Sequence, residues 1–259
     1  MNRSLMRAAL AAFVFHCAAA GAEPAFEVAS ITPCAPGTPA PEMEHTGLTN
    51  WVAPGGRFTA RATTVVFLME WAYGIQPWQH SDGPGWLSSD RFDIVAKSDH
   101  DAQESEMKLM ARRLLSERFG LRVHRERKEM PAYLISVGKN APKLSTPKDG
   151  ETHAMRFSMT PGPDGKITVF HIEATRYTLA QLADVFARRM DRVIVNQTGM
   201  EGEYDFTLDL TPDEGRPSPV DQSLLLGALR QQIGLDVRAA RTAVDYYVID
   251  GAEKRMTVN

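Results

Sequence analysis

Apolar residues fall at helical spacing in two stretches of the first half of the chain, each followed by short strand-like runs, and the same succession then returns. Thr64 opens a stretch with Val65, Leu68, Ala72 and Ile75 on one face, the spacing of an amphipathic helix. A Gly/Pro/Ser segment leads to the strand-like Phe92-Asp93-Ile94-Val95. A second helical stretch, Met107 to Phe119, stops at Gly120 and is followed by Leu121-Arg122-Val123 and Tyr133-Leu134-Ile135. In the second half, Thr178 opens a helix with Leu179, Leu182, Phe186 and Met190 on one face, and Asp205-Phe206-Thr207-Leu208 reads as a strand. Leu224 to Ile233 is the next helix, stopped by Gly234, before Leu235-Asp236-Val237 and Tyr247-Val248-Ile249.

The spacing argues for a duplication. Thr64 and Thr178, Leu68 and Leu182, Gly120 and Gly234, and Tyr133 and Tyr247 all stand 114 residues apart, whereas Asp93 and Asp205 stand 112 apart. A constant register through helix, Gly stop and strands, with one slip where a loop tolerates deletion, predicts two homologous units. Gly120 and Gly234 stand where a left-handed helix cap is wanted. Met130-Pro131 divides the residues after Gly120 into two runs, which predicts a closing hairpin, with Arg241 to Val244 in the same role later. The expected order in each unit is strand, helix, strand, strand, helix, strand, strand, and helices this short bury a face against strands, so the fold class is α+β. The expected boundaries are 1–22 signal peptide, 23–138 first unit, 139–153 linker, 154–253 second unit and 254–259 tail. The proline-rich stretch Thr211 to Val220 is a further expected loop.

Residues 1–22 read as a secretory signal rather than as fold: Arg3 and Arg7, an apolar run from Ala8 to Phe15, and Ala20-Gly21-Ala22 as the cleavage site. Cys17 lacks the small preceding residue expected before a lipidated cysteine. Later stretches do not approach the length of a membrane-spanning helix. Cleavage removes Cys17 and leaves Cys34 alone, which excludes an intramolecular disulfide. Of the 259 residues, 43% are hydrophobic and 24% charged, as in ordinary globular protein, and the net charge of −3 excludes the basic field of a non-specific nucleic-acid binder. Asn196-Gln197-Thr198 matches a glycosylation sequon, which matters only in a glycosylating source.

Two resemblances follow. Val193 to Leu210 (VIVNQTGMEGEYDFTLDL) and Ala228 to Gly251 (ALRQQIGLDVRAARTAVDYYVIDG) resemble the short N-terminal domain of secretins and TonB-dependent transducers. Over most of the mature chain, FEVASITPC (26–34), GGRFTARATT (55–64), GPGWLSSDRFDIVAKS (83–98), LLSERFGLRVHRE (114–126) and QTGMEGEYDFTLDLTPDE (197–214) resemble the soil-associated family of exported bacterial proteins of unknown function, domain of unknown function 3738. That resemblance implies an envelope or secreted location and supplies no catalytic residues. Related domains attached to membrane antibiotic-sensor metallopeptidases add a hint of sensing.

Catalytic signatures are poor: the chain has no Gly-x-Ser-x-Gly elbow, His-Glu-x-x-His helix or P-loop. Ser-x-x-Lys occurs at Ser105, Ser136 and Ser145 without its companion motifs. His124 with Glu126, and His100-Asp101, fall short of the three or four ligands of a zinc site, and Asp90 and Asp93 flank a strand instead of facing across a cleft. No metal or other cofactor is called for.

Two surface features remain. Arg122, His124, Arg125, Arg127 and Lys128 gather positive charge on one strand, which either protects an edge or receives an anionic envelope component. The helix Val65 to Ile75 also carries Val66, Phe67 and Tyr73 off its main apolar face, where the corresponding helix has Gln181, Asp184, Arg188 and Arg189. A helix apolar most of the way round is covered on more than one side, by the Trp78 and Trp86 loop, by the other unit or by a partner. The candidate binding residues are therefore Phe67, Tyr73, Trp78, Trp86, Arg122, His124, Arg125 and Arg127. The leading expectation is a non-catalytic interaction module of the cell envelope whose partner is an envelope protein or anionic component. The alternatives are an extracytoplasmic enzyme with its site between the units and a small-molecule sensor.

Overall fold

The computed structural model describes residues 24–41, 51–162, 167–211 and 222–254. The expected signal peptide lies outside these residues, as do nearly all of the 211–220 loop and all of the tail after Lys254. The fold is α+β. In the first half, β1 (Val28–Pro33), β2 (Val52–Ala53), β3 (Arg57–Thr64) and β4 (Arg91–Lys97) form an antiparallel sheet in the order β1-β4-β3-β2. Phe58, Ala60, Phe92, Ile94 and Ala96 point inward from it. They meet α1 (Val65–Tyr73) and α3 (Glu104–Phe119), while α2 (Trp86–Ser89) contributes Leu87.

The second half is laid out similarly. The strands β6 (Ala154–Pro161), β7 (Ile167–Tyr177) and β9 (Tyr204–Leu210) form an antiparallel sheet in the order β6-β7-β9. It is covered by α4 (Leu179–Ala187) and by α5 (Gln222–Ala228), which continues as a π-helical turn over Leu229–Ile233. Thr64 and Thr178 cap α1 and α4, each side chain accepting from the backbone N–H three residues on. Gly120 and Gly234 close α3 and the π-turn in the left-handed conformation. Among the described residues the non-glycine positive-φ positions are Ala62 (47°) and Arg176 (58°), again 114 apart. In each case the N–H of that residue donates to a neighbouring-strand carboxylate, Asp93 at 2.8 Å and Asp205 at 2.9 Å, at a shift in strand register.

The expected hairpins do not form. Residues on both sides of Met130-Pro131 belong to one strand, β5 (Arg122–Val137), and those around Arg241 to Val244 to another, β10 (Leu235–Gly251). These pair antiparallel along nearly their whole length, with Glu129 opposite Ala243 near the centre. Those two positions are themselves 114 apart, so β5 and β10 cross about a local two-fold axis. Pro131 is tolerated because, among the described residues, β5 pairs with β10 alone up to that point. From Ala132 onward β5 also pairs, in parallel, with β8 (Val193–Asn196), and His80 makes the corresponding parallel bridge to Tyr247 of β10.

Consequently each half completes its core with the other's long strand: Tyr133 and Ile135 enter the second core, and Tyr247 and Ile249 pack against the first. The segment expected to be a free linker is docked at its start. Gly138 and Lys143 donate to Gly234 and Ile233, and Ser145 bridges Asp205 at the edge of β9. No helix among the described residues is long and apolar enough to cross a membrane.

Candidate functional site

The two halves meet where α1 faces α4, and this junction holds much of the buried charge. The Glu70 carboxylate, buried on α1, accepts from the Arg188 guanidinium, and its other oxygen lies 3.1 Å from Nε2 of His80. Nδ1 of His80 is 3.0 Å from the Ser81 carbonyl oxygen. An acceptor at each nitrogen favours the doubly protonated ring, in which both nitrogens donate. Burial opposes that charge, but the bonds to Glu70 and Ser81 hold the His80 pKa above its ordinary value. Arg188 also lies 4.3 Å from the ring centre of Phe67, a cation–π contact. Gln76 clamps β8, accepting from the Ile194 N–H at 2.7 Å and donating to the Ile194 carbonyl at 2.9 Å.

Beside this cluster lies a cleft of about 100 Å3, whose lining includes Trp71, Gly74, Lys108, His153, Tyr177 and Asp184. Asp184 lines this cleft and is exposed to solvent, yet neighbouring protein crowds its carboxylate closely enough that desolvation pushes its pKa to about 6. Its hydrogen bond from Gln76 Nε2 is long, 3.4 Å. Desolvation, helped by the charge of Glu104, pushes the Tyr177 hydroxyl to about 12, and His153 stacks on that ring at 4.2 Å. Lys108 is held by Glu104 at 3.0 Å.

The expected binding residues are dispersed. Phe67 is a core residue under Arg188, not a surface anchor. Tyr73 packs edge-on against Tyr247 of β10, beneath Arg112. Trp86 lies beside Phe119 and Lys254. Trp78, 45% exposed, donates its indole N–H to the Met190 carbonyl at 3.0 Å, so it bridges the halves. The apolar surplus of the first helix is therefore covered within the chain.

The basic run of β5 meets acids on β10, just beyond its end and on β5 itself. Arg122 lies 3.6 Å from Glu253, His124 pairs with Asp250 and Glu126, and Arg125 and Arg127 share Asp245. Lys128 lies over Tyr246. This arrangement fixes strand register more directly than it presents positive charge to an anion.

A row that the sequence did not suggest crosses the second sheet. The Thr160 hydroxyl is 2.8 Å from Nε2 of His171, whose Nδ1 is 2.7 Å from Asp209. The order is that of an acyl-transfer triad, but the row lies on the exposed face of a sheet and does not line the junction cleft. Only the strand register brings these residues together. Among the described residues no three His, Cys, Asp or Glu side chains converge as metal ligands.

A larger cavity, about 900 Å3, straddles β1 and reaches α3. Ile31, Met110, Leu114 and Phe119 supply its apolar wall, and Val28 (60% exposed) and Val95 (50%) lie on the opposite face of the sheet. Among the described residues no strand pairs with the outer edge of β1.

Residues 67–252 match the family described as Protein of unknown function (DUF3738). The chain belongs to that family. The DUF3738 region contains α3, both long strands and most of the junction, while β1 precedes it. No curated protein and no solved structure matches the chain.

Proposed function

We propose that this DUF3738 protein is a non-catalytic interaction module of the bacterial cell envelope, built from two tandem homologous units and exported by its signal peptide. The partner is an envelope protein that adds an extended segment along β1. The observation that carries this reading is the outer edge of β1, which no strand among the described residues pairs with, and the cavity along it. A strand edge presents a row of backbone donors and acceptors, and natural proteins usually protect such edges with charge. The half of β5 with an open edge is charged in that way, whereas Val28-Ala29-Ser30-Ile31-Thr32-Pro33 carries no charge. Register places Val28, Lys97 and Arg57 side by side across three strands. A segment with alternating apolar residues and an acid at that end complements the site. Tandem units are supported by the matched caps at Thr64 and Thr178 and the matched bulges at Ala62 and Arg176.

The test is photo-crosslinking in intact envelopes from a reactive residue at Ser30, with exposed Leu109 as the control position. One recurrent envelope protein should appear from Ser30 alone, and Val28→Lys should abolish it without altering the melting temperature. The same background from both positions, or a Ser30 product indifferent to Val28→Lys, would overturn the reading.

A further inference from the structure

Because α1 and α4 share a register, each residue at the junction has a counterpart 114 positions away, and comparing the two environments exposes a difference. Glu70 on α1 corresponds to Asp184 on α4. Glu70 is neutralised by Arg188 and His80. The counterparts of those two cations are Gly74 and Ile194, so the positions that would supply charge to Asp184 hold none. Gly74 lines the same cleft as Asp184; a Cβ there would meet nothing within 4 Å, although its φ of 63° is the left-handed conformation that favours glycine.

We propose that the junction cleft binds a small organic cation, an alkylguanidinium or alkylammonium, which occupies the place beside Asp184 that the Arg188 guanidinium occupies beside Glu70. The remaining charges of the cleft are already committed: Arg188 to Glu70, and Lys108 to Glu104. The Asp184 carboxylate has only the long bond from Gln76, and no ion pair to it occurs among the described residues. Trp71, Tyr177 and His153 supply aromatic walls, which favour a cation over a neutral molecule of the same size. A volume of about 100 Å3 suits a group of a few heavy atoms and excludes a drug-sized ligand. The inference is independent of the β1 edge and stands whether or not a protein partner docks there.

Affinity should follow the ionised form of Asp184 and fall about tenfold for each pH unit below about 6. The other groups around that carboxylate are Gln76 and Glu70 from α1 and its following turn, Lys108 and Glu104 from α3, Arg188 on α4 itself, and His153 and Tyr177.

The experiment is an NMR titration of the full chain with methylguanidinium, with propanol and propionate as probes of similar size. Saturable shifts confined to Trp71, Gln76 and Gln181 are expected from methylguanidinium alone. Asp184→Asn should weaken binding at least tenfold, about the effect of removing a charged partner from a hydrogen-bonded pair. Gly74→Arg, which supplies the missing guanidinium within the chain but places a side chain on a left-handed residue (φ 63°), should abolish it in protein that a melting curve shows to be folded. Should Asp184→Asn fail to fold, Lys108→Met provides the opposite sign, since losing a neighbouring cation should tighten binding. Absence of saturation, equal shifts from propanol, or wild-type affinity in Asp184→Asn would each overturn the proposal.

Discussion

Glu70 and Asp184 occupy corresponding positions on two helices, but one carboxylate is held by Arg188 and His80, while crowding without a dedicated cation raises the pKa of the other. The raised Asp184 pKa means that the folded protein holds this proton more tightly than the unfolded chain. Stability is therefore greatest below the ordinary value of 3.8, falls as pH rises towards about 6, and is level beyond. Asp184→Asn should remove that slope and raise the melting temperature at neutral pH, as thermal unfolding at a series of pH values will read. His80 differs in its window. Its pKa is raised above 6.5, so its contribution is fully present below 6.5 and is lost as pH rises through the folded value; His80→Gln should flatten the alkaline limb of the same series. Arg188→Met strands the buried Glu70 and should cost about 3 kcal/mol, the low end for breaking a buried pair because His80 remains. Adding Glu70→Gln should recover part of that loss in chemical denaturation. At this scale the sequence was least legible. Asp184 and Arg188 stood out only as polar residues off the apolar face of their helix, because their partners lie on α1 and the turn after it, more than a hundred residues away in sequence.

Local signals were easier to read where an element determines its own ends. The helix-opening threonines, the left-handed glycines and the strands β4 and β9 are decided by neighbours in sequence, and these were legible there, whereas β3 was not read from its own residues. The long strands were not. Met130-Pro131 suggests a break when only local residues are weighed, and nothing local reveals that β10 will continue the pairing on both sides of it. The charges along β5 carried that information in disguise, since their acidic partners are spaced along β10 in matching register. Thr64→Ala and Thr178→Ala should each lower stability by about 1 kcal/mol. Asp205→Ala should cost more, about 1.5–3 kcal/mol, because the Arg176 N–H loses a charged acceptor while the backbone stays in a strained conformation. Denaturant midpoints of the three variants, at unchanged slope, will rank them.

At the scale of the whole molecule, the exchange of strands decides how the protein unfolds. Two independent units joined by a linker would melt separately, and either could be made alone. Here Tyr133 and Ile135, which follow the first half's own helices, are buried in the second core, while Tyr247 and Ile249 return to the first. Fully burying an apolar side chain contributes about 1.5–3 kcal/mol, so separating the halves removes several such contributions from each core and also leaves β5 without its partner. Glu70, Arg188 and the Gln76 clamp on Ile194 would be broken at the same time. Calorimetry should therefore give one cooperative transition whose van't Hoff and calorimetric enthalpies agree. A fragment ending at Gly138 should be unfolded by itself and regain structure when the fragment beginning at Lys139 is added, because the two halves carry complementary strands. Two resolved transitions, or a folded isolated first half, would show that the shared sheet joins units already stable on their own.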